Sequence, residues 1–131
     1  MVSVFVDTSA LYALLDGADA GHERALRGSE RILGEEMVTH SYVVVETVSL
    51  VRRRLGAEAA ARLIDDMLPA IKIVDVDEAL SGRALAAFRA GVSSAVSLVD
   101  RTSFECMRTF GISRAYALDA DFEAEGFELV S

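Results

Sequence analysis

The sequence has little of the chemistry on which many protein sites depend. Its 131 residues include one cysteine, one proline, two histidines and no tryptophan. The single Cys106 cannot form an internal disulfide and has no partner at a metal-site spacing, which indicates a reducing, cytoplasmic setting. His22 and His40 are isolated histidines without a nucleophile nearby in sequence, and we expect them to be surface or turn residues. A disulfide framework and a cysteine-based metal site are therefore excluded.

Long apolar runs and an excess of positive charge are also missing. No segment is long and apolar enough to span a bilayer, and no leader precedes the first predicted strand, so we expect no membrane association. The net charge is −8, so the overall field does not attract nucleic acid. A nucleic-acid partner would need local features, such as carboxylates neutralised by a divalent cation. The length predicts a single domain over residues 1–131.

The apolar pattern predicts an alternation of strands and helices. We predict strands at residues 2–6, 37–39 and 71–76, in "RAYALD" and in "FELV". Helices are predicted at residues 9–15, 20–33, 42–55, 57–68, 78–89 and 97–111. This alternation is typical of an α/β domain with a mostly parallel sheet, in which ligands bind outside the carboxyl ends of the strands.

Two aspartates stand at such strand ends. Asp7 stops the apolar run "VSVFV", and Asp119 closes "AYALD". Each also has a plain structural interpretation, because Asp caps helices and favours turns. The triplet "DTS" can supply a cap without Asp7, however. Asp121 lies two residues beyond the strand end and has the weaker functional claim.

Two further acids lie on predicted helices. Asp100 falls on the same helical face as Phe104 and Met107, where a carboxylate costs several kcal/mol unless it is paired or metal-bound. It could instead be a buried helix cap. Glu46 lies just beyond the apolar stripe of its helix, and taken alone it is best interpreted as a solvated side chain.

Taken together, these acids predict a metal site at one edge of the sheet. The only lysine, Lys72, lies inside a predicted strand, and a pocket of several acids cannot stay ionised without a cation. Ligands that are all oxygen indicate a hard ion, Mg²⁺ or Mn²⁺, that retains some water. Such ions clamp phosphate oxygens and activate a water for in-line attack.

Four ordered segments carry a family resemblance: "VFVDTSALYALLD", "VVVETVSLVRR", "SLVDRTSFECMRTFGI" and "AYALDADF". Their order and spacing resemble a PIN domain, and most specifically the small VapC-like toxins of bacterial toxin–antitoxin pairs; "HERA" resembles the second helix of these toxins. The resemblance implies a three-layer α/β/α fold with a central, mostly parallel sheet of four to five strands. It further implies a Mg²⁺- or Mn²⁺-dependent ribonuclease acting on tRNA or rRNA, a homodimer, and a VapB-like antitoxin that blocks the site.

The resemblance also implies roles for particular residues. The family's catalytic and metal-binding acids match Asp7, Glu46, Asp100 and Asp119. Asp7 and Asp119 would be direct or near-direct ligands, Asp100 would complete the cluster, and Glu46 would hold a metal-bound water or a second ion.

Accessory roles follow for neighbouring polar residues. Asp121 would assist the acids, and three hydroxyl residues could hydrogen-bond the carboxylates: Thr8, Ser9 and Ser103. Arg53, in the run of arginines at 52–54, could contact a substrate phosphate. One departure concerns "THSYVVVE", which lacks the proline that many relatives have there and leaves the start of this helix open.

Two other functions remain open at this stage. A catalytically inactive PIN-fold interaction module would keep the fold without the reaction, although a dead site has no reason to keep four desolvated charges. An acidic-pocket phosphotransfer or signalling domain also places acids at strand ends. That class needs a lysine at the end of a late strand, which this sequence lacks, and a dehalogenase-type phosphatase needs an aspartate where Ser9 stands.

Overall fold

A central sheet organises the structure, which is a computed structural model that describes residues 3–130. Five strands pair in the order β3-β2-β1-β4-β5, and all four pairings are parallel. The strands are β1 Ser3–Val6, β2 Glu36–His40, β3 Ile71–Val74, β4 Arg114–Tyr116 and β5 Glu128–Leu129. The predicted α/β class is confirmed, and the sheet is wholly rather than mostly parallel. Val2, predicted to begin the first strand, lies outside the described residues.

Helices connect the strands and cover both faces of the sheet. They are α1 Thr8–Leu15, α2 His22–Arg31, α3 Ser41–Leu55, α4 Ala57–Arg62, α5 Glu78–Ala90, α6 Leu98–Phe110 and α7 Asp121–Ala124. None of the helices within residues 3–130 is both long and apolar enough to cross a membrane.

The predicted helix at residues 57–68 is the clearest local difference. Its regular part ends at Arg62, and the chain continues as a wider π-type turn, Leu63–Met67, and a 3-10 turn, Leu68–Ala70. The Leu68 amide donates to the Leu63 carbonyl, a bond one residue longer than the α-helical one. Pro69 stands in the 3-10 turn, where its missing N–H prevents a further helical turn.

Alternation along β1 divides the core into two layers. Val4 and Val6 contact the cluster formed with α1, α2 and α4, whereas Phe5 between them packs with Phe104 and Phe122 on the opposite face. This is the two-residue period of a strand that is buried on both sides. The predicted three-layer α/β/α arrangement is therefore present, and the central strand is enclosed.

The strand order places β1 next to β4 at the middle of the sheet. The Asp7 amide, one residue past β1, donates to the Tyr116 carbonyl at 3.0 Å, which ties the two strand ends together. β1 and β4 end at the same edge of the sheet. The residues after β1 lead into α1, and the residues after β4 lead to Asp119. The fold thus brings the two predicted strand-end acids to neighbouring positions.

Candidate metal centre

A cavity of about 470 Å³ lies at this edge of the sheet. Its walls are Asp7, Thr8, Ser9, Glu46, Ser49, Leu50, Arg53, Ser97, Asp100 and Asp119. All four acids that were predicted to be catalytic line it, although they come from two strand ends and two helices. We refer to these four acids together with Asp121 as the acid cluster.

Asp7 is the most enclosed member of the acid cluster, with 4% of its surface exposed. One of its oxygens, Oδ2, accepts hydrogen bonds from the Ser9 amide at 3.1 Å and the Ser9 hydroxyl at 2.6 Å. Burial raises the pKa of Asp7 to about 6 against the lowering effect of these bonds, and the charges of Glu46 and Asp119 raise it further. Asp7 therefore caps α1 and also lines the cavity, so its capping role does not remove it from the candidate site.

Ser9 links Asp7 to the strand that carries Asp119. The same hydroxyl that donates to Asp7 accepts a hydrogen bond from the Leu118 amide at 2.9 Å. Ser9 thus makes the carboxylate contact that was predicted for it. Because Leu118 directly precedes Asp119, this bridge fixes one strand-end acid relative to the other.

Among residues 3–130, a trio of acids comes together from the loop after β4 and the first turns of α6 and α7. Asp100, Asp119 and Asp121 each offer a carboxylate oxygen, and these oxygens lie within 4.8 Å of one another. Burial raises the pKa of Asp100 to about 7, and the charges of Asp7, Asp119 and Glu46 and a hydrogen bond with Asp119 add to the effect. Three carboxylates this close favour either a shared proton or a bound cation.

Asp121, which was predicted to be accessory, lies within the trio. Its amide donates to Asp119 Oδ1 at 2.9 Å in an Asx turn. This turn brings the Asp121 carboxylate close to those of Asp100 and Asp119. Asp7 lies in the same cavity but outside the trio. The signal that could have given Asp121 more weight is the "DAD" spacing, because aspartate commonly bonds the backbone two residues on.

Two hydroxyl residues do not make the contacts predicted for them. Thr8 Oγ1 lies 2.8 Å from Thr47 Oγ1, so this buried pair joins α1 to α3 rather than reaching a carboxylate. The Ser103 hydroxyl donates to the Val99 carbonyl at 3.0 Å and lies 2.9 Å from His40 Nε2. Ser103 is a buried residue of α6, and its hydrogen bonds satisfy the interior of the protein.

His40 is the residue that the sequence analysis placed most wrongly. It was expected at the surface or in a turn, yet its exposed fraction is 0%. Its Nδ1 accepts from the amides of Tyr42 and Val43, so the ring caps α3. The helix that carries Glu46 therefore begins at Ser41 without the proline expected there. The available signal was the position of His40 between a predicted strand and a predicted helix, where a polar side chain commonly caps the helix.

The donor set of the acid cluster fits a divalent metal ion with oxygen ligands. All five members are carboxylates, and the pKa values of Asp7 and Asp100 are raised to near neutrality by burial and by like charges. The ion pairs resolved in the structure use other acids: Glu35, Glu105 and Glu125. Carboxylates without nitrogen or sulfur ligands favour hard cations, whose charge would reverse this repulsion.

Comparison with known proteins points in the same direction. The family model described as PIN domain matches residues 4–127. The chain is 35% identical over 128 residues to the 23S rRNA-specific endonuclease VapC20 of Mycobacterium tuberculosis, with 95% of both chains covered. The crystal structure of VapC20, described as a sarcin-ricin loop cleaving toxin, matches with a TM-score of 0.83 at 34% identity, again over 95% of both chains.

A more distant solved structure shares the fold alone. FitAcB of Neisseria gonorrhoeae matches with a TM-score of 0.72 at 16% identity, covering 98% of this chain and 96% of its own. The arrangement of sheet and helices is therefore retained where little of the sequence is.

Proposed function

This chain belongs to the PIN-domain family and is a VapC-like endoribonuclease, and we propose that it hydrolyses ribosomal RNA with Mg²⁺ or Mn²⁺ bound by the acid cluster. The carrying observation is that acids that follow β1 and β4 and acids on α3 and α6 line one cavity. Sequence alone left tRNA and rRNA open. The 35% identity to a 23S rRNA-specific endonuclease over nearly the whole chain favours rRNA.

Each acid has a role that follows from its surroundings. The trio of Asp100, Asp119 and Asp121 would hold the ion, because three carboxylate oxygens converge there. Asp7, fixed by Ser9 and buried, would orient a ligand or a water beside the trio. When bound, the ion would polarise the phosphate and lower the pKa of a water. Glu46 is exposed at the cavity wall, where it can hold that water and take up its proton.

Arg53 supplies positive charge on the wall of an otherwise acidic cavity. It lies two turns after Glu46 on α3 and lines the cavity with it. Arg54 is engaged elsewhere, since its guanidinium lies 5.5 Å from the centre of the Tyr12 ring. We therefore assign Arg53 to a substrate phosphate, a contact that an acidic protein needs locally.

The partners follow from membership of the VapC-like toxins. We propose a VapB-like antitoxin, a homodimer and action in the cytoplasm, where ribosomes are found. An apolar cleft of about 270 Å³ between α1, α2 and the sheet, lined among others by Leu11, Ile32 and Tyr116, supports a protein partner. At its rim Leu33 is 80% exposed, as is typical of surfaces that bind other proteins.

The test is cleavage of defined RNAs by wild type and two variants. Ribosomes, free 23S rRNA and tRNA would be incubated with the protein in Mn²⁺, in Mg²⁺ and in EDTA. Asp7→Asn removes one charge of the acid cluster. Asp75→Asn is its matched control, because Asp75 follows β3 at the same edge of the sheet but is exposed and outside the cavity.

We expect wild type and Asp75→Asn to give the same discrete 23S rRNA fragments with either metal ion. Asp7→Asn, and wild type in EDTA, should leave the RNA intact. Cleavage of tRNA instead would overturn the substrate assignment but not the nuclease. Metal binding without cleavage of any RNA would favour the inactive interaction module.

A further inference from the structure

The buried His40 joins two helices that each carry an acid of the cluster. It is the last residue of β2 and directly precedes α3. Its Nδ1 accepts hydrogen bonds from the Tyr42 amide at 3.2 Å and the Val43 amide at 3.4 Å. On its other side, Nε2 lies 2.9 Å from the hydroxyl of Ser103 on α6. One imidazole thus contacts the start of α3 and the middle of α6.

The direction of these hydrogen bonds is determined by the donors. Because Nδ1 accepts from two amides, the ring proton of neutral His40 lies on Nε2 and is donated to Ser103. The Ser103 hydroxyl in turn donates to the Val99 carbonyl at 3.0 Å. Burial lowers the pKa of His40 to about 4, so the ring is neutral under ordinary conditions. Every polar group in this chain of bonds is then satisfied.

The position of this pair relative to the acids concerns more than the capping of α3. Glu46 lies six residues after His40 on α3, and Asp100 lies one turn before Ser103 on α6. Both acids line the cavity. A second polar contact, Thr8 with Thr47, ties α3 to α1 instead. The His40–Ser103 contact is therefore a direct polar link between the helix of Glu46 and the helix of Asp100.

We propose that His40 and Ser103 are positioning residues of the nuclease site, which hold α3 and α6 at the spacing that lets Glu46 and Asp100 act on one metal ion. This inference rests on the function proposed above. A residue that only capped α3 would affect stability, whereas a positioning pair also affects how tightly the acids bind a metal ion.

The experiment measures Mn²⁺ affinity by calorimetry on the full chain, with unfolding temperature measured in parallel. The variants are His40→Asn, Ser103→Ala and the double variant. Asparagine keeps an acceptor that can cap α3 but removes the ring nitrogen that faces Ser103. Ser103→Ala leaves the cap intact, so it decides the matter alone if His40→Asn fails to fold.

Asp77→Ala is the structural control. Asp77 caps α5 by accepting from the Leu80 amide at 2.9 Å, and α5 carries no member of the acid cluster. The Asp77→Ala variant should have a lower unfolding temperature than wild type, and its Mn²⁺ affinity should stay within about twofold of wild type. Each single variant of the pair should weaken Mn²⁺ binding about 10-fold, as is typical when support of a ligand is lost. The double variant should be no weaker than either single variant.

The outcomes separate this inference from the function on which it rests. Wild type that binds no Mn²⁺ would overturn the proposed metal site and, with it, the inference. Wild type that binds Mn²⁺, with His40→Asn and Ser103→Ala lowering only the unfolding temperature, would overturn the inference alone. Losses that add in the double variant would also overturn it, because the two residues would then act separately.

Discussion

Two strands of this sheet end directly before an aspartate, and the two aspartates have opposite surroundings. Asp7 follows β1, lies in the cavity and is almost wholly buried. Asp75 follows β3 at the same edge of the sheet and is exposed. The local patterns are alike, since each is an apolar strand that stops at a carboxylate. What differs is the position of the strand in the sheet.

Strand order explains the difference. β1 is the middle strand and has β4 beside it, so Asp7 meets the acids that follow β4. β3 is an edge strand, and β2 lies between it and β1. At the usual spacing of neighbouring strands, β3 is therefore about 10 Å from β1. A strand end therefore becomes a site only where a neighbouring strand delivers a second acid.

The largest expected effect of this difference is on metal binding. Asp119→Asn removes a carboxylate from the trio, and we expect Mn²⁺ affinity to fall by about 100-fold or more, beyond the usual cost of losing a supporting group. Asp75→Asn should change it by less than about twofold. Calorimetric titration of both variants at one pH and salt concentration gives the comparison. Equal losses would mean that the ion responds to overall negative charge rather than to this cavity.

A second expected effect concerns stability without metal. The pKa of Asp7 is raised from 3.8 to about 6 in the folded protein. Between these values the folded state holds a proton that the unfolded state has lost, so the contribution of Asp7 to stability falls as pH rises from about 4 to about 6. Above pH 6 the ionised carboxylate destabilises the fold, by about 3 kcal/mol if the whole pKa change is counted.

Asp7→Asn should remove this penalty, because asparagine carries no charge. Asparagine can still cap α1, so the helix start is not weakened. In EDTA at pH 8 we expect the variant to be more stable than wild type, and at pH 4 the two should converge. Urea unfolding at both pH values measures this, with Asp75→Asn as the control that changes neither. A variant that is less stable than wild type at pH 8 would contradict the view that Asp7 is held at a cost in stability for its function.

The comparison also shows what could be predicted from the sequence. β1 and Asp7 were predictable because an apolar run that stops at a polar residue is a local signal. The strand order was not, since pairing of β1 with β4 joins residues more than a hundred positions apart. Asp119 was singled out because it closes a predicted strand, whereas Asp75 fell inside the predicted strand 71–76; the structure ends that strand at Val74, so both aspartates directly follow or closely follow a strand.

The burial of His40 and the proximity of Asp121 to the other acids went unpredicted for related reasons. Buried His40 is hydrogen-bonded to Ser103, which is 63 residues away in sequence, so no window around the histidine contains this partner. The closeness of Asp121 to Asp100 depends on a turn, in which the Asp121 amide donates to Asp119. In both cases a hydrogen bond formed only in the folded chain gives the residue its place.

The smallest expected effect distinguishes two neighbouring arginines on α3. Both are exposed, but Arg53 lines the cavity and Arg52, one residue earlier, is not among its lining residues. Arg53→Gln should raise the KM for RNA about 5- to 10-fold with little change in kcat, because one phosphate contact is lost. The RNA affinity of this variant should also depend less steeply on salt concentration. The slope of log affinity against log salt concentration should fall by about the value for one phosphate contact. Arg52→Gln carries the same change in net charge and is the control. Equal effects from both variants would show that RNA responds to the general positive field of α3. An effect confined to Arg53→Gln would show that the RNA contacts the wall of the cavity that holds the acid cluster.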